Sequence, residues 1–118
     1  MIELHMKIEH YSFGKIIIDG KTYTSDVIIY PDRIDSSWWR KEGHHLRSTD
    51  LIDAISVKPD IIILGTGYSG MMVVPDETVT FIKSKGIDVQ VERTGRAVEL
   101  FNTLEGIKRA IAALHITC

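Results

Sequence analysis

The sequence predicts an α/β domain whose sheet carries a layer on each face. Three observations predict it. Ile61, Ile62, Ile63 and Leu64 form an unbroken, mostly β-branched apolar run, the mark of a central strand covered on both sides. Ala97, Leu100, Phe101 and Leu104 recur at helical spacing and give an amphipathic helix. Residues 7–30 fall into short runs parted by turn residues, a β-meander. The 118 residues suit one domain. A chain of this size buries roughly two thirds of its unfolded surface, so it needs no metal or disulfide staple.

In the meander, residues 7–11 alternate polar and apolar, and Gly14 breaks them. Residues 15–18 and 21–24 flank Asp19-Gly20, a strong two-residue hairpin signal. Val27-Ile28-Ile29-Tyr30 is a second apolar run, expected beside 61–64, and Pro31-Asp32 ends it. Residues 33–48 lack clean periodicity and hold Trp38, Trp39, Arg40, Lys41, His44, His45 and Arg47. The large area of an indole predicts that Trp39 folds back on the body. Ser48-Thr49-Asp50 reads as a helix start, with Leu51, Ile52 and Ile55 toward the core and Pro59 closing the connection. Pro75-Asp76-Glu77 opens the next helix, since proline suits a first turn and acids suit its dipole. Val79 and Ile82 form its inner face and Gly86 its stop. Residues 87–91 alternate as a strand, Thr94 caps the last helix, and Gly106 ends it. The tail, 108–118, has helix-forming residues but is short and follows a helix stop, so it is read as a strand.

Composition narrows the function. A formal charge of −2 with no basic block argues against nucleic acid as the main partner, because phosphate binding needs clustered Lys and Arg. The one cysteine, Cys118, excludes an internal disulfide and a cysteine-based zinc site. No apolar stretch approaches the roughly 20 residues that span a bilayer. Residues 1–5 lack the basic flank and apolar core of a signal peptide. A cytoplasmic protein without membrane contact is the expectation.

Gly65, Thr66 and Gly67 end the 61–64 strand abruptly. Such a loop, at the carboxyl end of a central strand, is where open α/β sheets bind ligands. It is also the form of a tight turn leaving a buried strand. The candidate set is Trp39, Arg40, His45, Thr66, Gly67 and Thr94. If strands 61–64 and 87–91 point the same way, Thr66, Gly67 and Thr94 share one sheet edge. A glycine loop and a helix N-terminus there offer N–H groups to an anion, and Arg40 adds a bidentate fork. Taken singly, Thr94 as a plain cap and Arg40 paired with a surface acid are the simpler roles.

Other chemistries fall away. Residues 65–70 match G-x-G-x-x-G in letters, but 71–75 ends in proline where a helix must open directly, and no Lys-Ser or Lys-Thr closes the loop. NAD and ATP are therefore rejected, and no cofactor is expected. His115 and Cys118, three apart on a strand, fall on opposite faces, and a carboxylate at Cys118 disfavours its thiolate. No catalytic pair is expected there. Adjacent His44 and His45 do not make a chelating helix pair, with or without His5 or His10, so no metal is expected.

Several pieces together carry a resemblance. They are the Val-Ile-Ile-Tyr-Pro strand end at 27–31, Trp39-Arg40-Lys41 with His45, and Pro59 before the Gly65-x-Gly67 loop. Pro75, Gly86-Ile87-Asp88-Val89, Thr94 with Ala97 and Asn102, and the ending His115-x-Thr117-Cys118 complete them. In this order and spacing the chain is similar to a family of small archaeal and bacterial proteins of unassigned biochemical activity. The same domain occurs in the vertebrate adipogenesis-associated Mth938-domain protein and in a mitochondrial complex I assembly factor. The resemblance implies a three-layer α/β fold, a mixed central sheet with one antiparallel strand, and a tail that is a strand. It brings no reaction.

Two functions follow. The first is a non-catalytic interaction, assembly or regulatory domain with a protein partner, resting on the resemblance, the lack of an acid/base pair and the Trp38-Trp39 loop. The second is a binder of, or an enzyme acting on, a small anionic ligand at Gly65-Thr66-Gly67. The complex I role belongs to a mitochondrial protein and is not carried over. Lys7, Glu9, Lys15 and Lys21 guard the meander against strand pairing. Trp38, Met71 and Met72 lie in loops, so a monomer or a weak homodimer through the loop surface is expected.

Overall fold

The computed structural model describes residues 6–118. Strands β1 (Ile8–Ser12), β2 (Lys15–Ile18) and β3 (Lys21–Tyr23) form the antiparallel meander. At its hairpin Asp19 and Gly20 have φ of 48° and 80°. This doubly left-handed turn matches the twist of the flanking strands.

The main sheet is built from β4 (Val27–Ile29), β5 (Ile34–Asp35), β6 (Ile61–Gly65), β7 (Asp88–Glu92) and β8 (Ala110–Leu114). Their order is β5-β4-β8-β6-β7. β8, β6 and β7 run parallel, β4 is antiparallel to β8, and β5 is antiparallel to β4. One strand, β4, thus runs against the rest. The expected pairing of 27–30 with 61–64 does not form, because the tail strand β8 inserts between them. β8, and not 61–64, takes the middle place. Chain neighbours usually pair, but all five β8 residues are apolar and buried, and only an inner slot covers both faces of such a strand.

Alternation then sorts the core into two layers. Ile61 and Ile63 of β6 join Ala110, Ala112 and Leu114 of β8 on the face covered by the meander and by α3 (Thr94–Leu104). Ile62, Leu64, Ile111 and Ala113 point the other way, toward α1 (Ile52–Ser56) and α2 (Asp76–Ser84). On α3, Ala97 and Phe101 are buried, with Leu100 and Leu104 half-buried against the same cluster. Gly86, at φ 79°, ends α2.

Three expectations change. Residues 48–51 form a 3-10 turn, which shifts the phase of α1, so Leu51 and Ala54 face the core and Ile52 is exposed. Thr94 is the first residue of α3 and Arg93 holds the cap position, so the Thr94 hydroxyl is free for other bonds. The two tryptophans exchange roles: Trp38 is 8% exposed and Trp39 is 75% exposed. Trp38 is the one whose indole N–H finds an acceptor inside, the Asp50 carbonyl at 3.0 Å, and a buried indole needs such a partner.

Candidate functional site

Parallel β6, β7 and β8 end together at Gly65, Glu92 and Leu114. The chain beyond each end meets the others there. A Cβ on Gly65 would lie 2.8 Å from both Leu114 Cδ2 and Thr94 Oγ1. At Gly67, φ is 113° and a Cβ would lie 2.3 Å from the Cys118 carbonyl carbon. Both glycines are therefore demanded by protein packed against them.

Of residues 66–72, every N–H but that of Ser69 has a protein acceptor. Thr66 donates to the Glu92 carbonyl at 2.9 Å, Tyr68 to that of Thr117 at 2.6 Å, Gly70 to that of Gly67 at 3.2 Å, Met71 to that of Cys118 at 3.0 Å and Met72 to that of Thr66 at 3.0 Å. Gly67 donates to Thr94 Oγ1 at 2.8 Å. The Thr94 hydroxyl donates in turn to the His115 carbonyl at 2.6 Å, and the Thr94 N–H to the Gly67 carbonyl at 3.1 Å. Thr94 is a staple joining the glycine loop, α3 and the tail.

A buried charged cluster lies on the inner side of that tail. Val27 faces Leu114 in the β4–β8 register, which brings Asp26 and His115, one residue beyond each, together. Asp26 Oδ2 accepts from His115 Nδ1 and from Arg40 Nη2, both at 2.9 Å. Asp26 Oδ1 accepts the Ile116 N–H at 2.8 Å. Arg40 Nε and Nη2 also donate to the Gly43 carbonyl, at 3.1 and 2.8 Å. The guanidinium stacks over the Trp38 ring at 4.6 Å. The exposed His44 ring stands edge-on to His115, with centroids 5.3 Å apart. Burial pushes the Asp26 carboxyl up, but the bonds from His115 and Ile116, the His115 charge and the Arg40 bond outweigh it and leave its pKa below the ordinary value. Burial pushes the nearby Tyr11 phenol up to about 12, helped by the charges of Tyr68 and Asp26, and its hydroxyl donates to the Ile116 carbonyl at 3.0 Å.

The outer side of the same tail is apolar. Phe13 packs on Tyr68 at 6.1 Å, edge to face. Met71 and Val73 face outward and Met72 inward. Phe13, Tyr68, Met71 and Val73 are each more than half exposed.

Of the residues singled out in the sequence, Thr66, Gly67 and Thr94 are in mutual contact, and Arg40 joins them through His115. Arg40 is itself buried and pairs with the half-buried Asp26, not with an acid on the open surface. His45 is half-buried and its backbone bridges Val73, while its neighbour His44 reaches the cluster. Trp39 stands apart, on a shallow groove with Tyr30, Trp38, Asp50 and Ile52. Trp38 and Met72 are buried, so the apolar loop surface consists of other residues than those expected. β8 ends at Leu114, so His115 and Cys118 do not lie on one strand. Asp26 and the role of His115 were missed; 89 residues separate them, and only the β4–β8 register joins them. Among the described residues no three His, Cys, Asp or Glu side chains gather as a metal site; His5 lies outside those residues. No helix among them is long and apolar enough to cross a membrane.

A family described as protein of unknown function (DUF498/DUF598) matches residues 8–116. The chain belongs to that family. Among curated relatives, the Xenopus tropicalis protein named NADH dehydrogenase [ubiquinone] 1 alpha subcomplex assembly factor 3 is 30% identical over 114 residues. The match covers 94% of this chain and 61% of that protein, so the chain spans about three fifths of the relative's length. Among solved structures, the conserved hypothetical protein PH1505 of Pyrococcus horikoshii superposes with a TM-score of 0.81 at 31% identity, covering 95% of this chain and 99% of that one. A Mth938-like domain from Bordetella pertussis gives a TM-score of 0.76 at 17% identity, covering 93% and 85%, and speaks for the fold alone. The family membership and these superpositions agree with the three-layer α/β fold described above.

Proposed function

We propose that this chain is a non-catalytic interaction domain that binds a protein partner through the strip of Phe13, Tyr68, Met71 and Val73. The observation that carries this reading is that Phe13, Tyr68 and Met71 gather around residues 116–118, held by backbone bonds from Gly14, Tyr68 and Met71 to the tail carbonyls, with Val73 two residues further on; all four side chains are more than half exposed. Contiguous exposed apolar surface of this kind marks interaction sites. The relative named as an assembly factor supports a role exerted by binding other proteins. The bonded N–H groups of the glycine loop favour this reading over an anion cradle at Gly65-Thr66-Gly67. The reading places the work in the cytoplasm and expects a monomer or weak homodimer at micromolar concentration, which sedimentation equilibrium measures.

The test captures partners from the source cell with the folded chain and with a Tyr68→Glu, Met71→Lys double variant. The reading expects one stoichiometric protein held by the first and lost by the second at unchanged melting temperature. Equal capture by both chains, or capture of nothing under gentle conditions, would overturn it.

A further inference from the structure

Arg40 and His115 are 8% and 5% exposed, and each has one buried nitrogen without a partner: Arg40 Nη1 and His115 Nε2. Counting hydrogens locates what is unspent. Arg40 Nη2 has two, and Gly43 and Asp26 use both; Nε gives its one to Gly43. Beside an ionised Asp26, His115 Nδ1 carries the proton it donates. The Nη2–Nδ1 separation of 3.2 Å then follows from two donors sharing one carboxylate oxygen. Left over are both hydrogens of Nη1 and the lone pair of Nε2. Leaving such groups buried and unpaired is costly.

We propose that this cluster binds a small oxyanion of the carboxylate or phosphate class, with Arg40 Nη1 and His115 Nε2 as its donors. With neutral His115 the cluster is uncharged overall, since Arg40 and Asp26 cancel. An entering anion would then be a buried, uncompensated charge. A proton taken up on Nε2 as the anion enters supplies the missing charge and the second donor together. Around the site stand Arg40, His115 and His44 on the basic side and Asp26 on the acidic side, with Tyr11 and the carboxyl of Cys118 at its border. The two hydrogens of Nη1 lie in the guanidinium plane and are donated at its edge. His44 is exposed and its ring packs edge-on against His115, on the solvent side of the cluster. This site is distinct from the apolar strip and does not rest on partner binding.

The test uses the intact chain with its histidine nitrogens labelled with 15N, titrated with sodium formate and separately with inorganic phosphate at ionic strength held constant with chloride. The expected result is a saturable passage of His115 Nε2 from unprotonated to protonated in at least one titration, and the anion that saturates identifies the class. Coupling to one proton makes affinity fall about tenfold per pH unit where His115 is neutral in the free protein. Arg40→Lys keeps the charge but loses the planar donor edge at Nη1, and weakens binding about tenfold or more. The wild-type arm stands alone if that variant does not fold. A response no greater than that to chloride, or saturable binding with no dependence on pH, would overturn the proposal.

Discussion

Along residues 115–118 the two sides of one short segment reverse the usual partition of a protein. Its inner side meets Asp26, Arg40 and His115, charged or titratable groups that are mostly buried; its outer side meets Phe13, Tyr68 and Met71, with Val73 beyond them, apolar groups left in water. Charged side chains are almost never buried unless paired, and large contiguous apolar patches are rarely exposed. The contrast separates two tasks. The inner cluster is expensive to desolvate and adds specificity of path more than stability. Asp26 fixes Ile116, and the tail thus placed offers its Thr117 and Cys118 carbonyls to Tyr68 and Met71. The charges place the segment, and the segment places the apolar strip.

The largest expected effect comes from the inner side. Asp26→Ala strands the Arg40 charge and is expected to cost about 3–5 kcal/mol in urea unfolding. Trp38→Ala, which empties a core site under the same guanidinium, is expected to cost a similar amount, about 3–5 kcal/mol. Trp39→Ala is expected to stay within about 0.5 kcal/mol. An equal cost for the two tryptophans would break the assignment of inside and outside. Gly67→Ala drives a Cβ into the Cys118 backbone at a left-handed position, with an expected cost of about 3 kcal/mol.

Acid and alkali sharpen the comparison. Asp26 has a folded pKa below its ordinary 3.8. Its contribution to stability is present in full above that value and is lost as pH falls below it toward the folded pKa. Tyr11 is raised from 10.0 to about 12, so its contribution is full below pH 10.0 and is lost as pH rises from there toward 12. Unfolding free energy followed across both windows should fall at each end, and Asp26→Asn should flatten the acid end. The smallest stability effects belong to the outer strip. Tyr68→Glu and Met71→Lys are expected to change stability by about 0.5 kcal/mol or less, in contrast to their effect on capture.

Local pattern made the elements legible: the 61–64 run, the Asp19-Gly20 hairpin, the Ala97–Phe101 stripe and the Gly86 stop all took the predicted form. Order within the sheet was less legible. Nothing local in residues 110–114 says that they enter between two earlier strands; that follows from the whole layer needing a small, doubly apolar strand. Trp38 and Trp39 were indistinguishable until Asp50 supplied an acceptor to one of them. Of the site, Arg40, Thr66, Gly67 and Thr94 stood out in the sequence because glycine pairs and lone arginines stand out. Asp26 did not stand out in the sequence, since its bonds to His115 and Ile116 exist only in the folded register.

The account rests on the outer strip being a contact surface. A photo-crosslinking residue placed in turn at Met71, at Val73 and at Thr103, an exposed position on α3, reads this directly in the source cell. The account predicts one discrete crosslinked protein from positions 71 and 73 and none from 103. Equal crosslinking at 103, or none at 71 and 73 from a chain shown to be folded, would contradict it.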